Sequence, residues 1–146
     1  MDKISDNLYK TFVYDDRYKY ILEGLGNTLI IAFFAVIIGV ILGIIVSLVR
    51  NNYEVNGKGK ISNFIANSYV TIIIGTPVIL QLMIIYYVIF KSSDVNILIV
   101  GILAFGINSG AYVSEIIRSG INAIDKGQLE AGLALGLSYA KVMRLV

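Results

Sequence analysis

The stretch Gly24–Val49, GLGNTLIIAFFAVIIGVILGIIVSLV, runs for 26 residues without a charge and is closed by Glu23 and Arg50. A bilayer core about 30 Å thick needs about 20 apolar residues in a helix that rises about 1.5 Å per residue. In hydrocarbon every backbone N–H and C=O must find a partner within the protein, so a run of this kind spans as a helix. A secretory signal has a basic start and an apolar core of only about 7–15 residues. Here the run is longer and a mixed-charge segment, 1–23, precedes it, so we read a retained span.

Working outward, the charges mark off two further runs. Ile61–Phe90 has 30 uncharged residues between Lys60 and Lys91, and Val95–Ser114 has 20 between Asp94 and Glu115. The alternating short strands of a membrane barrel are absent from this pattern. The expected architecture is therefore an all-α integral membrane protein with spans at about 26–49, 65–90 and 95–117.

Composition agrees. Of 146 residues, 57% are hydrophobic and 15% charged, with a mean hydropathy of +0.78; an ordinary soluble domain has about 45–50% apolar and about 25% charged residues. Cysteine, histidine and tryptophan are missing. That excludes disulfides, thiolate or imidazole metal sites and Ser–His chemistry from this sequence, and no metal ligand set is expected. A net charge of +2 is too small to point to nucleic acid.

Loop charges give an orientation. Loop 50–60 carries Arg50, Lys58 and Lys60 against Glu54 alone, and segment 115–146 carries Arg118, Lys126, Lys141 and Arg144. Segment 1–23 has Lys3, Lys10, Arg17 and Lys19 against five acids. The excess of Lys and Arg on cytosolic loops puts loop 50–60 and the C-terminal segment inside and the N-terminus outside. Lys91–Asp94 is then a short outer turn. Tyr14, Tyr18, Tyr20, Tyr86 and Tyr87 fall near the outer interface, where amphipathic rings are favoured.

Each span carries a pattern. Gly39-x-x-x-Gly43 in the first lets another helix approach closely, within one subunit or between two. In the second, Pro77 of Gly75-Thr76-Pro77 lacks an N–H and clashes with the Ile73 carbonyl four residues back. The Thr76 hydroxyl is placed to satisfy a freed carbonyl. The kink either shapes packing or serves as a hinge along a passage, and Asn67, Thr71, Gly75 and Gln81, near one helical face, favour the passage. In the third, Asn108, Tyr112, Glu115 and Ser119 step by 4, 3 and 4 and share a face, with Gly106-x-x-x-Gly110 beside them. Such polar groups face protein or water rather than lipid. Inter-helix hydrogen bonding explains Asn108 as well as a passage does, and Glu115 can pair with Arg118 at i+3.

After Ile124 the pattern changes. Asp125 and Gln128 resemble a capping box that starts a helix near Lys126, and Leu129, Leu133 and Leu137 repeat along one side. Gly136 can end that helix in a left-handed conformation, and Ser138 can cap a second one from Tyr139 toward Val146. A DNA-reading helix–turn–helix needs several phosphate contacts, whereas the second helix offers Lys141 and Arg144 only. A bracket that docks on a cytosolic partner fits better.

These strings together resemble a known family. Gly75-Thr76-Pro77 with Gln81 and Tyr86-Tyr87, then Asn108-Ser109-Gly110-Ala111-Tyr112 with Glu115 and Arg118, then Lys126-Gly127-Gln128-x-Glu130-Ala131-x4-Gly136-Leu137-Ser138, are similar to the permease subunits of polar amino-acid ABC importers, the histidine, glutamine or arginine type. The resemblance runs from about Leu22 to the last residue. It implies a five-span type I importer fold of which this chain carries three spans and a coupling loop, 125–146, so the sequence reads as C-terminally truncated. It divides the chain into an extracytoplasmic segment, 1–23, and an incomplete transmembrane domain, 24–146.

The resemblance also implies roles. Glu130, Ala131, Gly132 and Gly136 map to the loop that docks into a cytosolic ABC ATPase, with Gly132 where alanine is usual. Ile74 stands where the family usually has arginine. Thr76, Gln81, Asn108 and Tyr112 become candidates for the passage or the facing subunit, Gly75 and Pro77 for a hinge, and Glu115 with Arg118 for a structural ion pair. The implied partners are ATPase subunits, a second permease subunit of the same or related sequence, an extracytoplasmic solute-binding protein and the lipid of a bacterial cell membrane. No Gly-x4-Gly-Lys-[Ser/Thr] motif occurs, so ATP is expected to be consumed by the partner, with no cofactor on this chain and no enzyme activity of its own. The rival readings are a secondary transporter or channel, disfavoured by charge-free span centres, and a non-transporting scaffold, which predicts no ATPase partner.

Overall fold

A computed structural model describes residues 9–91 and 94–145. Lys3 and Val146, both used above, and positions 92–93 of the expected outer turn fall outside them. The described residues are helical almost throughout. After a π-helical turn, Tyr9–Val13, and a 3-10 turn, Tyr14–Asp16, come α1 (Arg17–Asn56), α2 (Lys60–Gly75), α3 (Val78–Ile84, running on as a π-helical turn, Ile85–Ile89), α4 (Ile97–Asn122), α5 (Lys126–Ala134) and α6 (Tyr139–Leu145).

The 40 residues of α1 reach about 60 Å, so the helix overruns a bilayer core at one or both ends. Gly57, at φ 66, closes it by donating its N–H to the Tyr53 carbonyl at 2.9 Å. At the other junction, the Asn96 side chain accepts from Leu98 N at 2.9 Å and caps α4.

α1 and α4 form the body. The buried face of α1 is a ladder of small residues, Ala35, Gly39, Gly43 and Ser47, ending at Arg50. On α4, Gly101, Gly106 and Gly110 lie against α1, at Ile31, Ile38 and Leu42. A Cβ on Gly39 would lie 2.6 Å from Ser109 Cβ, and one on Gly43 2.5 Å from Val113 Cγ1. In return, Gly106 makes room for Ile38 and Gly110 for Leu42. The expected close packing at both Gly-x-x-x-Gly pairs is thus met within one chain. Lipid gives apolar helices no hydrophobic drive to associate, so close van der Waals contact between small residues does the work. The large apolar side chains point outward instead, among them Leu29, Phe33 and Leu48.

The pairing also fixes direction. Residues 31, 39, 43, 50 and 54 of α1 meet residues 101, 109, 113, 115 and 118 of α4 in ascending order. The two helices run parallel, so the chain between them must travel back. That return falls to α2 and α3, and here the structure departs from an unbroken 65–90 span. Gly75 ends α2, and α2 and α3 meet at an angle of 111°. The cause is local. Proline disfavours the α region for the residue before it, and Thr76 is extended at φ −118, ψ 143. Among the described residues, two helices, α1 and α4, are long and apolar enough to cross a membrane alone, and the bent pair is the third candidate.

Candidate functional site

The break is the first feature with chemistry. Ending α2 at Gly75 strips backbone carbonyls of their helical donors, and Pro77 has none to give. Two side chains replace them. The Thr76 hydroxyl donates to the Ile72 carbonyl at 2.8 Å, as expected, and Gln81 Nε2 donates to the Ile73 carbonyl at 2.7 Å and the Thr76 carbonyl at 3.0 Å. The same amide reaches Thr76 Oγ1 at 2.7 Å. With its nitrogen committed there, Gln81 turns its oxygen to α4 and accepts from Asn108 Nδ2 at 3.0 Å. Thr76, Gln81 and Asn108 are therefore one hydrogen-bonded chain.

This corrects the expected face of Asn67, Thr71, Gly75 and Gln81. The bend divides it: Asn67, Thr71 and Gly75 stay exposed, whereas Gln81 is buried against the break. Gly75 and Pro77 are at the bend itself.

A groove of about 620 Å³ lies between α1 and α4. Thr28, Ile31 and Ala35 line it from one side and Phe105, Asn108, Ser109 and Tyr112 from the other. It is mostly apolar, carries no charged side chain, and offers hydroxyls and one amide as polar contacts. Tyr112 is half exposed there, and Asn108 is shared between this groove and the break.

Four charges gather near the C-terminal ends of α1 and α4. Glu115 is reached by Arg50 Nη1 at 2.7 Å and by Arg118 Nη1 at 3.5 Å, while Arg118 Nη2 lies 2.9 Å from Glu54. The Glu115–Arg118 contact thus exists, but the shorter bond goes to Arg50, whose side chain is 8% exposed. Sequence reasoning missed Arg50, although a signal was available: Arg50 and Glu115 close two charge-free runs with opposite signs. It also missed Tyr69, whose hydroxyl donates to the Ile107 carbonyl at 2.6 Å. A lone tyrosine in an apolar run gives no such signal. Among the described residues there is no group of three His, Cys, Asp or Glu able to hold a metal.

Three residues beyond α4, helices α5 and α6 form a bracket. Asp125 caps α5 by accepting from Gly127 N at 2.7 Å, and the helix starts at Lys126. At its end Leu137 N donates to the Gly132 carbonyl at 3.2 Å and Gly136 N to the Leu133 carbonyl at 2.9 Å, with Gly136 at φ 79. That bond pair is a Schellman ending, which needs the left-handed residue. Gly132 is buried under α6, where a Cβ would lie 2.6 Å from Val142 Cγ2. Gly132 therefore packs inside the bracket and Gly136 shapes its turn, whereas Glu130 and Ala131 are exposed and do neither. A cavity of about 200 Å³ separates the bracket from the ends of α1 and α4, with Glu54, Asn122, Lys126 and Tyr139 in its wall.

A family model described as "Binding-protein-dependent transport system inner membrane component" matches residues 35–146. The chain is 46% identical over 132 residues to the arginine transport system permease protein ArtQ of Bacillus subtilis (strain 168), covering 86% of this chain and 56% of that protein. To the glutamine transport system permease protein GlnP of Escherichia coli (strain K12) it is 34% identical over 129 residues, covering 86% and 57%. A solved structure titled "Crystal structure of an amino acid ABC transporter with histidines" superposes with a TM-score of 0.73 at 35% identity, over 88% of this chain and 60% of that one. The chain thus spans less than two thirds of the length of these proteins.

Proposed function

Because the chain belongs to the family of binding-protein-dependent transport system inner membrane components, we propose that it serves as a membrane-embedded permease subunit of an ATP-driven importer for a polar amino acid. The observation that carries this reading is the bracket. It follows α4 after three residues, presents Glu130 on an exposed helix, and is joined to two parallel, tightly packed helices. A short exposed helix that follows a span after three residues is a suitable receiver for work done by a partner ATPase.

In this reading the bracket faces the cytosol of a bacterial cell, docked on an ATPase, and segment 1–23 lies outside. The spans correspond to about 26–49, the bent pair, and 95–117. ATP-driven closure of two ATPase subunits moves the bracket and rocks α1 and α4 together. A second permease subunit faces the groove at Asn108 and Tyr112, and a solute-binding protein delivers substrate from outside. Uncharged hydroxyls and an amide suit a polar solute that must bind and leave again. The named relatives carry different amino acids, so the class rather than one member is proposed. Span centres free of charge weigh against ion-coupled transport.

The test is reconstitution of the complete transporter in vesicles with ATP on the bracket side. Uptake of a polar amino acid that depends on both ATP and a solute-binding protein supports the reading. Uptake driven by an ion gradient without ATP overturns it.

A further inference from the structure

Both arms of the bent segment are tied to a single turn of α4. From α2, before the break, the Tyr69 hydroxyl donates to the Ile107 carbonyl at 2.6 Å. From α3, beyond the break, the Gln81 amide accepts from Asn108 Nδ2 at 3.0 Å. Ile107 and Asn108 are adjacent. We infer that this turn of α4 is the pivot of the bent segment, and that Tyr69 and Gln81 are positioning residues holding the two arms to it.

Four observations lead there. The bend has no steric lock at its centre: a Cβ on Gly75 would meet nothing within 4 Å. Two extended residues, Thr76 and Pro77, leave the angle between the arms to be set by other bonds. Gln81 supplies those bonds on both sides, since its nitrogen donates to the Ile73 and Thr76 carbonyls while its oxygen accepts from Asn108 Nδ2. Finally, Gly110 is shaped for the Tyr69 contact, because a Cβ there would sit 2.9 Å from the Tyr69 hydroxyl. In a medium without water, each of these groups has few other partners.

The consequence rests on the proposed transport role. The bracket follows α4 after only three residues, so a force on the bracket is passed to the end of α4. The pivot then delivers that movement to both arms at once, and they move as one body with Asn108 at the groove wall. Release of either tie loosens the angle between the arms, and movement of α4 is passed to them less fully.

The experiment uses the complete transporter with its ATPase. These 146 residues hold no cysteine, so once any cysteines elsewhere in the complex are replaced, Ile65→Cys and Val88→Cys, both exposed and on opposite arms, accept spin labels. Tyr69→Phe and Gln81→Leu should each broaden the distance distribution between the labels. Uptake per ATP hydrolysed should fall about 2- to 30-fold while hydrolysis itself changes by less than about 2-fold. The double variant should be no worse than the more severe single one, because both ties hold one angle. An unchanged distribution in both variants, or uptake and hydrolysis falling in equal proportion, overturns the pivot. Should Gln81→Leu fail to assemble, Tyr69→Phe removes a single hydroxyl and carries the same test. If the unmodified complex shows no ATP-driven uptake, the transport role falls, and the label distances still decide the pivot.

Discussion

Arg50 and Glu115 are 65 positions apart in sequence and 2.7 Å apart in space, and they fasten the end of α1 to α4. The two sides of this bond differ in exposure: the Arg50 side chain is 8% exposed and that of Glu115 is 39%. Glu115 also has Arg118 at 3.5 Å.

That asymmetry predicts an order of stability. Glu115→Ala strands a buried guanidinium, whereas Arg50→Ala leaves a carboxylate that still has Arg118 and solvent. An exposed pair contributes under about 1 kcal/mol and breaking a buried one costs about 3–5, so Glu115→Ala should cost about 2–3 kcal/mol and Arg50→Ala about 1. Glu115→Gln, which keeps an acceptor, should fall between them and the unaltered protein. Thermal unfolding of the detergent-solubilised complex reads the order, and equal losses for Arg50→Ala and Glu115→Ala would remove the basis for it.

The α1–α4 seam predicts position-specific intolerance to a single methyl. Gly39→Ala places a Cβ 2.6 Å from Ser109 and forces the helices apart, at a cost of about 1–3 kcal/mol. Gly24→Ala, on the same helix with nothing within 4 Å, should stabilise by up to about 1 kcal/mol through helix propensity. Ser109→Gly should restore much of the Gly39→Ala loss, because it removes the two nearest atoms that the new methyl meets and leaves only Gly110 N at 3.3 Å. Melting temperatures of the three variants check the series.

How much of this was legible beforehand follows from the range of each signal. The runs that became α1 and α4, the cap at Asp125 and the left-handed Gly136 are set by neighbours within a few residues, and sequence carries such information directly. Thr76 bonding back to Ile72 is equally local. The break was visible as Gly75-Thr76-Pro77, but the 111° between the arms was not, because a proline marks where a helix stops and not where the next one points. Pairing across 65 positions, as for Arg50, is set by helix direction, which periodicity does not encode. Gly132 shows the same limit: its smallness was plain, but the neighbour that requires it, Val142, comes from the next helix.

Gly132 gives the third prediction. Gly132→Ala would put a methyl 2.6 Å from Val142 Cγ2. Gly132→Ala should loosen the α5–α6 bracket by about 1–3 kcal/mol, and adding Val142→Ala should recover most of that. Gly136→Ala at φ 79 should cost about 1–2 kcal/mol with no such rescue. Hydrogen exchange over residues 126–145 distinguishes the two, since only the first is relieved by the change in α6.

Glu130 gives the last. It is exposed on α5, and unlike Gly132 and Gly136 it has no part in closing the Schellman turn or in packing under α6. Glu130→Ala should therefore leave bracket stability unchanged within about 0.5 kcal/mol, as for an ordinary surface substitution. If Glu130 makes a charge-assisted bond to a basic group on the ATPase, its loss should weaken attachment by about 1.5–3 kcal/mol, or about 10- to 150-fold in affinity. Glu130→Gln should retain part of that affinity, because an amide oxygen still accepts while the charge is gone. The affinity should also fall with added salt in the unaltered protein and less so in Glu130→Ala, since an exposed ion pair is screened over about 8–10 Å near physiological ionic strength. Titration of ATPase onto the membrane subunits at two salt concentrations separates the outcomes. Equal affinity of Glu130→Ala and the unaltered protein at both would place the docking contact elsewhere on the bracket, at Leu133 or Leu135, which are also exposed.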